Sequence, residues 1–419
     1  MYSRIIAFID RNEILTEAQH GFRAHRFTET TLQDFISNAR AAIDNKLYPI
    51  GLFLDLTKAY DVLDHQLLLE KLNSYGVRGL ANSWFKSYLT NRQQYVEVTD
   101  SKKGKVTSNI KQTNLGVPQG SVLGPILFSL YINDLPLNIP EAKIILFADD
   151  TNVLITGENI TTLRENINVV VSKIQQWFSS NNLIINTDKT KVVYFHNYQN
   201  KHQVLSHVSI DDRLIPISSN ARFLGLHVNE NLKWSHHCDV LKSKLNTGYY
   251  LINFLQKVTN PYVTRSLYFA CFHSHLKYGI TLWGGDPHSV EIFKLQKKVI
   301  RAICKVDQLT SCRHLFKKLG ILPLPCLFIS EMVCWIKHFK GKLISNSDLY
   351  NYNTRHNTDL HTLTCRTNIA KDNGLSLGIK LFNKLPNSIK ILNPKHKFKI
   401  GVNKFLLEHV FYSLDEFFN

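Results

Sequence analysis

The sequence predicts an α+β protein, in which a first half of alternating strands and helices precedes a mainly helical, basic second half. Up to about residue 230, short apolar runs of strand length alternate with segments whose apolar residues recur at helical spacing. Beyond Trp234 the apolar spacing is mostly helical. The excess of basic residues is confined to that second part.

The first half begins with a predicted strand at residues 50–55 and a helix at residues 62–75. After the turn at residues 118–120, Ser121 is a candidate N-cap for a helix that runs to about residue 133. This alternation predicts a sheet with helices packed against it.

A β-hairpin is predicted where apolar runs at residues 143–147 and 152–155 flank the sequence Ala-Asp-Asp-Thr, which places two acids at its tip. Residues 161–178 follow with apolar side chains on one helical face. Two further strands are predicted at residues 183–185 and 191–195.

Three long helices are predicted in the second half, at residues 242–258, 263–278 and 290–303. Residues 343–375 are rich in Asn, Thr and Asp and form the most loop-like stretch. A last amphipathic helix is predicted over residues 398–418. We expect it to dock on the protein, and the alternative is a helix lying on a membrane surface.

Charge is distributed unevenly along the chain. Residues 1–230 hold 23 basic and 22 acidic side chains, whereas residues 231–419 hold 27 and 11. A basic surface can serve solubility alone. An excess this one-sided is better explained by a polyanion partner, and nucleic acid is favoured over a membrane surface.

Membrane, secreted and disulfide-rich classes are not favoured. No apolar stretch approaches the roughly 20 residues that span a bilayer, and the first ten residues do not resemble a signal peptide. Seven cysteines without a Cys-x-x-Cys pair argue against a disulfide framework and a zinc ribbon. We therefore expect an intracellular protein with no membrane partner.

Three carboxylates are candidates for a metal site. Asp55 ends a predicted strand, and Asp149 and Asp150 lie at the hairpin tip. Nucleotidyl transfer uses two divalent cations, and Mg²⁺ prefers a few carboxylate oxygens on rigid strand ends. Two adjacent acids in a turn are weak evidence alone, because Asp is common in turns.

The order of several motifs makes the interpretation specific. FLDLTKAYDVLDH, NLGVPQGSVLGPILFSLYINDL and FADDTNV resemble motifs A, B and C of reverse transcriptases. NNLIINTDKTKVVYF and FLGLHVNENLKW are similar to motifs D and E, and QHGFRAHRFT resembles the fingers motif written GFR. KAYDVLDH and GVPQGSVLGP are nearest to the jockey-like branch of non-LTR retrotransposons.

The resemblance implies a right-hand polymerase with partial fingers and a palm sheet with helices in residues 1–230. A mainly helical basic thumb would follow in residues 231–330, and a C-terminal basic segment in residues 331–419. The implied activity is RNA-directed DNA polymerisation with two Mg²⁺ ions, for which Mn²⁺ can substitute. The implied partners are an RNA template, a DNA primer and deoxynucleoside triphosphates, and the implied location is nucleus and cytoplasm.

Residue roles follow from the same resemblance. Asp55, Asp149 and Asp150 match the metal-binding acids. Tyr60 matches the aromatic residue that excludes a ribose 2′-hydroxyl, with a plain core aromatic as the alternative. Lys189 matches the motif D lysine near the departing pyrophosphate, a possible general acid, with a surface lysine as the alternative.

Four further residues match positions near the nucleotide or its template. Gln119 and Gly120 match the motif B loop beside the nascent base pair. Arg23, together with Arg26, could face triphosphate or template backbone, and a solvent-facing pair is the alternative. Asp61 and Asp64 are interpreted as structural acids near a helix start.

A basic helical grip on the primer and template is predicted in the second half, because phosphate contacts come mainly from Lys and Arg. A solvated helix face would carry mixed signs, and acids are scarce here. The candidate residues are Lys242, Lys244, Lys294, Lys297, Lys298 and Arg301.

The chain departs from the family pattern at its start. Nothing before Gln19 resembles the additional fingers segment with its triphosphate-clamping arginine, or an endonuclease, so we expect an N-terminal truncation. Two alternatives to an active polymerase stay open: a non-catalytic nucleic-acid-binding remnant, and a maturase-like splicing partner of group II introns. The jockey-like motifs argue against the second.

Overall fold

The computed structural model describes residues 1–100, 104–197, 205–349, 357–362, 366–367 and 374–419. The first of its two units consists of Met1–Thr31 and Lys46–Ala221, and the second of Leu32–Asn45 and Arg222–Asn419. The division into three consecutive parts, predicted from the sequence, stays a prediction. The loop-like stretch at residues 343–375 lies partly outside the described residues.

The first unit is built on strands. They are β1 (Tyr48–Leu54), β2 (Arg92–Gln94), β3 (Glu97–Asp100), β4 (Gly104–Thr107), β5 (Lys111–Thr113), β6 (Lys143–Phe147), β7 (Asp150–Gly157), β8 (Lys191–Tyr194), β9 (His207–Ile210) and β10 (Arg213–Pro216). A four-stranded antiparallel sheet has the order β6, β7, β1, β8. Strand β1 is central and buried along six of its seven residues, as its apolar sequence predicts.

Helices cover this sheet and complete a common apolar core. They are α1 (Tyr2–Arg11), α3 (His65–Ser74), α4 (Leu80–Leu89), α5 (Gly124–Tyr131), α6 (Leu135–Asn138) and α7 (Ile160–Ser180). The start of α2 (Thr28–Asp44) also belongs to this unit. The side chain of Asn159 caps α7 by accepting a hydrogen bond from the backbone N–H of Thr162. Its buried residues follow the helical period from Leu163 to Phe178, which confirms the predicted helix.

Two local predictions in the first unit differ from the structure. Helix α5 begins at Gly124, because the Ser121 hydroxyl accepts the N–H of Gly124 in a turn that precedes the helix. Residues 183–185 form no regular strand. A single bridge between Leu56 and Ile185 joins them to the chain after β1.

The second unit begins with a hairpin and is otherwise helical. The hairpin strands are β11 (Asn220–Phe223) and β12 (Leu226–Asn229). The helices are the rest of α2, then α8 (Ser235–Leu255), α9 (Pro261–Tyr268), α10 (Ser274–Lys277), α11 (Ile280–Trp283), α12 (Ser289–Cys304), α13 (Arg313–Leu319), α14 (Leu324–Phe339), α15 (Asn346–Leu349), α16 (Gly374–Lys384), α17 (Asn387–Lys390), α18 (Lys395–His409) and α19 (Leu414–Phe418). Helix α8 packs on α12, and the apolar α14 packs on α16 and α18.

Two predicted long helices are interrupted. The helix predicted at residues 263–278 contains a π-helical turn at Phe269–His273, and left-handed Gly279 follows its end. The helix predicted at residues 398–418 ends at His409, where Val410 is left-handed, and Ser413 caps the short α19. Phe417 is buried, so this terminal segment docks on the protein.

Within the described ranges, no single helix has the length and apolar composition to cross a bilayer. Helices α13 and α14 meet those criteria only when they are taken together, and they are bent by 56° relative to each other.

Candidate active site

Strand register brings two of the predicted acids to the same end of the sheet. Leu54, the last residue of β1, pairs with Thr151 of β7. Asp55 follows Leu54 and Asp150 precedes Thr151, so the two acids lie next to the last residue pair of this ladder. Both acids therefore lie at the same end of the sheet.

The third acid lies at the tip of the hairpin. Phe147 pairs with Asp150, which leaves Ala148 and Asp149 as a two-residue connection between β6 and β7. Ala148 adopts φ +57°, as tight hairpins require, although this conformation is strained for a residue with a Cβ. Asp149 and Asp150 are both exposed, so their carboxylates face solvent at the strand ends.

Tyr60 lies beside this hairpin. Its ring centroid is 4.9 Å from that of Phe128 in α5. Burial, and then the negative charges of Asp149 and Asp150, raise the pKa of the Tyr60 hydroxyl to about 12. The hydroxyl is therefore protonated at neutral pH. The predicted exclusion of a ribose 2′-hydroxyl by Tyr60 stays a prediction, and so does the alternative of a plain core aromatic.

Lys189 lies beside Asp55. Its Nζ is 3.5 Å from Asp55 Oδ2, and the lysine side chain is largely exposed. The loop that carries Lys189 is anchored by Asn186, whose backbone N–H donates to the carbonyl of Asp55 at 2.8 Å. An exposed ion pair of this kind contributes little stability, so the ammonium group can move to another anion at small cost.

The motif B loop is joined to the residues that follow Asp55. Gln119 Nε2 donates to Asp61 Oδ1 at 2.8 Å. Asp61 therefore holds this loop and does not cap α3; that role belongs to Asp64, which accepts the N–H of Leu67. Gly120 has φ +78° and open space where a Cβ would lie, so its conformation alone favours glycine.

Gly116 is a residue of this site that the sequence analysis missed. Its backbone N–H donates to the carbonyl of Leu63, and the N–H of Val117 donates to the carbonyl of Tyr60. A Cβ at Gly116, which also has φ +80°, would lie 2.6 Å from the carbonyl oxygen of Asp61. The glycine in the sequence LGVPQG was the available signal, and only the structure shows which backbone it touches.

Arg23 and Arg26 have partners within the protein. Both guanidinium groups pair with Glu17, and Arg23 also donates to the carbonyl of Thr16 at 3.0 Å. The structure therefore gives Arg23 an internal partner. Its predicted contact with a triphosphate stays a prediction, and that contact would require release from Glu17.

The three acids do not form a complete metal cage by themselves. Within the described ranges, no group of three or more His, Cys, Asp or Glu side chains is placed so that it could hold a metal ion. Mg²⁺ does not need such a cage, since it retains several waters and binds through one or two carboxylates together with substrate phosphates. Asp55, which is partly buried, and the exposed Asp149 and Asp150 carry oxygen donors, the ligand type that this ion prefers.

The predicted basic residues of the second unit do not form one uniform face. Lys242 and Lys294 both pair with Glu291, at 3.3 and 2.7 Å. The ammonium group of Lys297 lies 4.8 Å from the ring centroid of Phe293. These three cations already have partners within the protein.

Lys298 and Arg301 line a cavity of about 680 Å³ with Lys257 and Lys305. Arg301 also has a partner within the protein, because its Nε donates to the carbonyl of Thr310 at 2.8 Å. Lys257 and Lys305 were missed because they belong to different segments of the sequence: Lys257 lies in the predicted helix at residues 242–258, and Lys305 lies beyond the predicted helix at residues 290–303. Lys244 lines a separate cavity with His227, His237, His275 and Tyr278.

Comparison with known proteins identifies the family of this chain. The family model described as reverse transcriptase (RNA-dependent DNA polymerase) matches residues 1–228. The chain belongs to the reverse transcriptase family. This confirms the family and the α+β polymerase fold class predicted from the sequence motifs.

The relatives of this reverse transcriptase include non-LTR elements of Drosophila melanogaster. The RNA-directed DNA polymerase from mobile element jockey is 29% identical over 313 residues, which cover 72% of this chain and 33% of the relative. The probable RNA-directed DNA polymerase from transposon X-element gives the same values. The chain thus spans about a third of the length of these curated relatives.

A telomerase from Candida Tropicalis is among the similar solved structures. It matches with a TM-score of 0.40 at 13% identity, covering 81% of this chain and 58% of the telomerase.

Proposed function

We propose that this reverse transcriptase copies the RNA of a non-LTR retrotransposon into DNA by two-metal nucleotidyl transfer. The observation that carries the proposal is the convergence of Asp55, Asp149 and Asp150 at one end of the sheet, with Tyr60 beside the hairpin acids. The family membership supports the reaction class.

Asp55, Asp149 and Asp150 would hold two Mg²⁺ ions, for which Mn²⁺ can substitute. When bound, such ions lower the pKa of the attacking hydroxyl and stabilise charge on the leaving pyrophosphate. The protein's own contribution is positioning, since phosphoryl transfer requires little covalent chemistry from side chains. Strand pairing on both sides of β7 provides the rigid support that positioning needs.

Tyr60 would select the sugar of the incoming nucleotide. Its ring is held against Phe128 and its neutral hydroxyl faces the acids, so a sugar placed over the ring meets a fixed surface. A ribose would bring its 2′-hydroxyl against that surface. A deoxyribose would not, which explains selection of deoxynucleoside triphosphates.

Lys189 would donate a proton, or simply positive charge, to the departing pyrophosphate. Its Nζ can exchange the exposed carboxylate of Asp55 for phosphate oxygens, because that ion pair is weak in solvent. Gln119 and Gly120 would contact the nascent base pair, with Gln119 oriented by Asp61. Arg23 would reach the triphosphate after leaving Glu17.

The second unit would bind the RNA template and DNA primer through their phosphates. Lys257, Lys298, Arg301 and Lys305 converge on one cavity with Asp307 as the acidic residue of its lining. Such a cluster suits sequence-independent contacts to a phosphodiester backbone. Lys242, Lys244, Lys294 and Lys297 would add to the positive field around it.

A matched pair of Asp→Asn substitutions tests the reaction. Asp149→Asn removes a charged oxygen donor from the hairpin tip, whereas Asp212→Asn makes the same change in an exposed, left-handed turn between β9 and β10. We expect Asp149→Asn to abolish extension of a DNA primer on RNA in Mg²⁺, and Asp212→Asn to retain it. Template binding, measured by fluorescence anisotropy, should be nearly unchanged in both.

Two outcomes would contradict the proposal. Activity of Asp149→Asn within about tenfold of the parent would refute the assignment as a metal ligand, since loss of a catalytic metal costs far more. A parent chain that binds nucleic acid but extends no primer in Mg²⁺ or Mn²⁺ would support the alternative, a non-catalytic nucleic-acid-binding remnant.

A further inference from the structure

The segment Ala18–Gly21, which leads into the GFR motif, lies along the edge of the four-stranded sheet. The backbone N–H of His20 donates to the carbonyl of Leu146, and the N–H of Leu146 donates to the carbonyl of Ala18, both at 2.8 Å. Gln19 and Leu146 thus form a parallel bridge beside β6, the edge strand. The segment covers part of an otherwise open strand edge.

Gly21 brings this segment against the hairpin tip. A Cβ built on Gly21 would lie 2.4 Å from the backbone nitrogen of Ala148 and 3.1 Å from the carbonyl carbon of Phe147. Both are backbone atoms, so a clash with them cannot be relieved by rotation of a side chain. The φ of Gly21 lies outside the left-handed region. Glycine is therefore required here for space and not for backbone conformation.

The backbone that Gly21 touches is the strained residue next to the acids. Ala148 is 8% exposed, has φ +57° and directly precedes Asp149. The position of Gly21 is itself held by Gln19, a fully buried residue whose Oε1 accepts the N–H of Gly21 at 2.9 Å. Buried Gln19 therefore holds Gly21 against Ala148, the left-handed residue that precedes Asp149.

We infer that Gly21 is a positioning residue for Asp149 and Asp150. Because Gly21 has no Cβ, the Ala18–Gly21 backbone contacts Ala148 directly. This contact keeps the hairpin in the conformation that positions Asp149 and Asp150. The inference rests on the proposed role of the acids in metal binding, but the contact acts on the hairpin whatever the acids bind. No contact of Gly21 with nucleotide or metal is involved.

A methyl group at Gly21 would force this contact to open by about 1 Å to reach ordinary van der Waals separation. Displacements of that size can cost roughly 100-fold in rate when catalysis depends on positioning. We therefore expect Gly21→Ala to lower kcat for primer extension by about that factor and to weaken binding of Mn²⁺ by roughly tenfold.

Gly157 provides the matched control. A Cβ there would lie 2.5 Å from the backbone nitrogen of Leu163, an equally close backbone contact, and its φ also lies outside the left-handed region. Gly157 is the last residue of β7, at the far end from Asp150, which is roughly 23 Å away along an extended strand. Gly157→Ala should lower the free energy of unfolding without moving the acids.

The experiment compares the parent chain, Gly21→Ala and Gly157→Ala at a temperature at which circular dichroism shows all three folded. Hydrogen exchange of residues 144–154 reports on the hairpin, and Mn²⁺ binding by electron paramagnetic resonance reports on the acids. We expect faster exchange and weaker Mn²⁺ binding only in Gly21→Ala. Unchanged exchange and binding in that variant, or an equal change in Gly157→Ala, would overturn the inference.

Two additions keep the result decisive. If Gly21→Ala does not fold, Gln19→Leu removes the acceptor that holds Gly21 and should give the same pattern with a smaller effect. Unchanged hairpin exchange in folded Gln19→Leu would then overturn the inference. Asp149→Asn should abolish the Mn²⁺ binding seen in the parent chain. If it does not, the proposed function fails, but the hydrogen-exchange comparison still tests the role of Gly21.

Discussion

Gln119 Nε2 donates a hydrogen bond to Asp61 Oδ1 at 2.8 Å, which joins two loops 58 residues apart in sequence. One loop follows Asp55, and the other contains Gly120. The amide of Gln119 is thereby given a fixed orientation, although both side chains are exposed.

This hydrogen bond predicts coupling between the two residues. Gln119→Ala and Asp61→Ala should each raise KM for the deoxynucleotide, and the double variant should be no worse than Gln119→Ala alone. For an exposed, charge-assisted bond we expect a coupling free energy of about 0.5–1 kcal/mol. Asp61→Asn is the control, because its Oδ1 can still accept from Gln119. Additive effects in the double variant would mean that the two side chains act independently.

Tyr60 is predicted to determine sugar selection. Tyr60→Val removes the ring that rests on Phe128, so the ratio of ribonucleotide to deoxyribonucleotide incorporation should rise by at least about tenfold. Tyr60→Phe keeps the ring and loses only a hydroxyl that is already neutral, so it should behave like the parent. Single-nucleotide extension with each substrate measures the ratio. An active Tyr60→Val with an unchanged ratio would assign Tyr60 to the core alone.

Binding of nucleic acid is predicted to depend strongly on salt. If 6–10 phosphates are contacted, affinity for duplex should fall by roughly 10³–10⁵ between 50 and 200 mM salt. Lys298→Ala should reduce the slope of log affinity against log salt concentration by the amount expected for about one phosphate contact. Lys294→Ala, which removes a cation already paired with Glu291, should change it less. Anisotropy titrations at several salt concentrations test this, and equal effects of the two substitutions would exclude the cavity as the principal contact.

His237 predicts acid sensitivity of the second unit. Burial, and then the neighbouring His227, Lys244 and His236, lower the pKa of His237 from 6.5 to about 4. Below pH 6.5 the unfolded chain therefore binds a proton that the folded chain does not. The stability contributed by neutral His237 is present above pH 6.5 and is lost as the pH falls towards 4, by about 3 kcal/mol at most.

Denaturant unfolding at a series of pH values measures this loss. His237→Asn should flatten the decline in the free energy of unfolding between pH 6.5 and 4. His314→Asn changes an exposed histidine of the same unit that is not among the groups lowering the pKa of His237, and it should follow the parent. A parallel decline in all three proteins would show that His237 is not the titrating group.

The sequence by itself determined those elements whose apolar pattern lies within a single short segment. The apolar run of β1 and the helical period of α7 predicted both elements, and the order of the motifs predicted that Asp55, Asp149 and Asp150 belong together. These signals survive in the sequence because burial on one face must repeat with the period of the backbone. The hairpin follows similarly from two apolar runs around a short polar turn.

Tertiary structure alone decided the contacts between side chains and backbone that are distant in sequence. Gly21 against Ala148, Gln119 with Asp61, Arg23 with Glu17, and Lys257 beside Arg301 have no common periodicity to reveal them. Left-handed Val410 ended a helix that the apolar pattern alone continued. The physical reason is that periodicity records which face of an element is buried, whereas a pairing depends on where a second element places its atoms, to within an ångström.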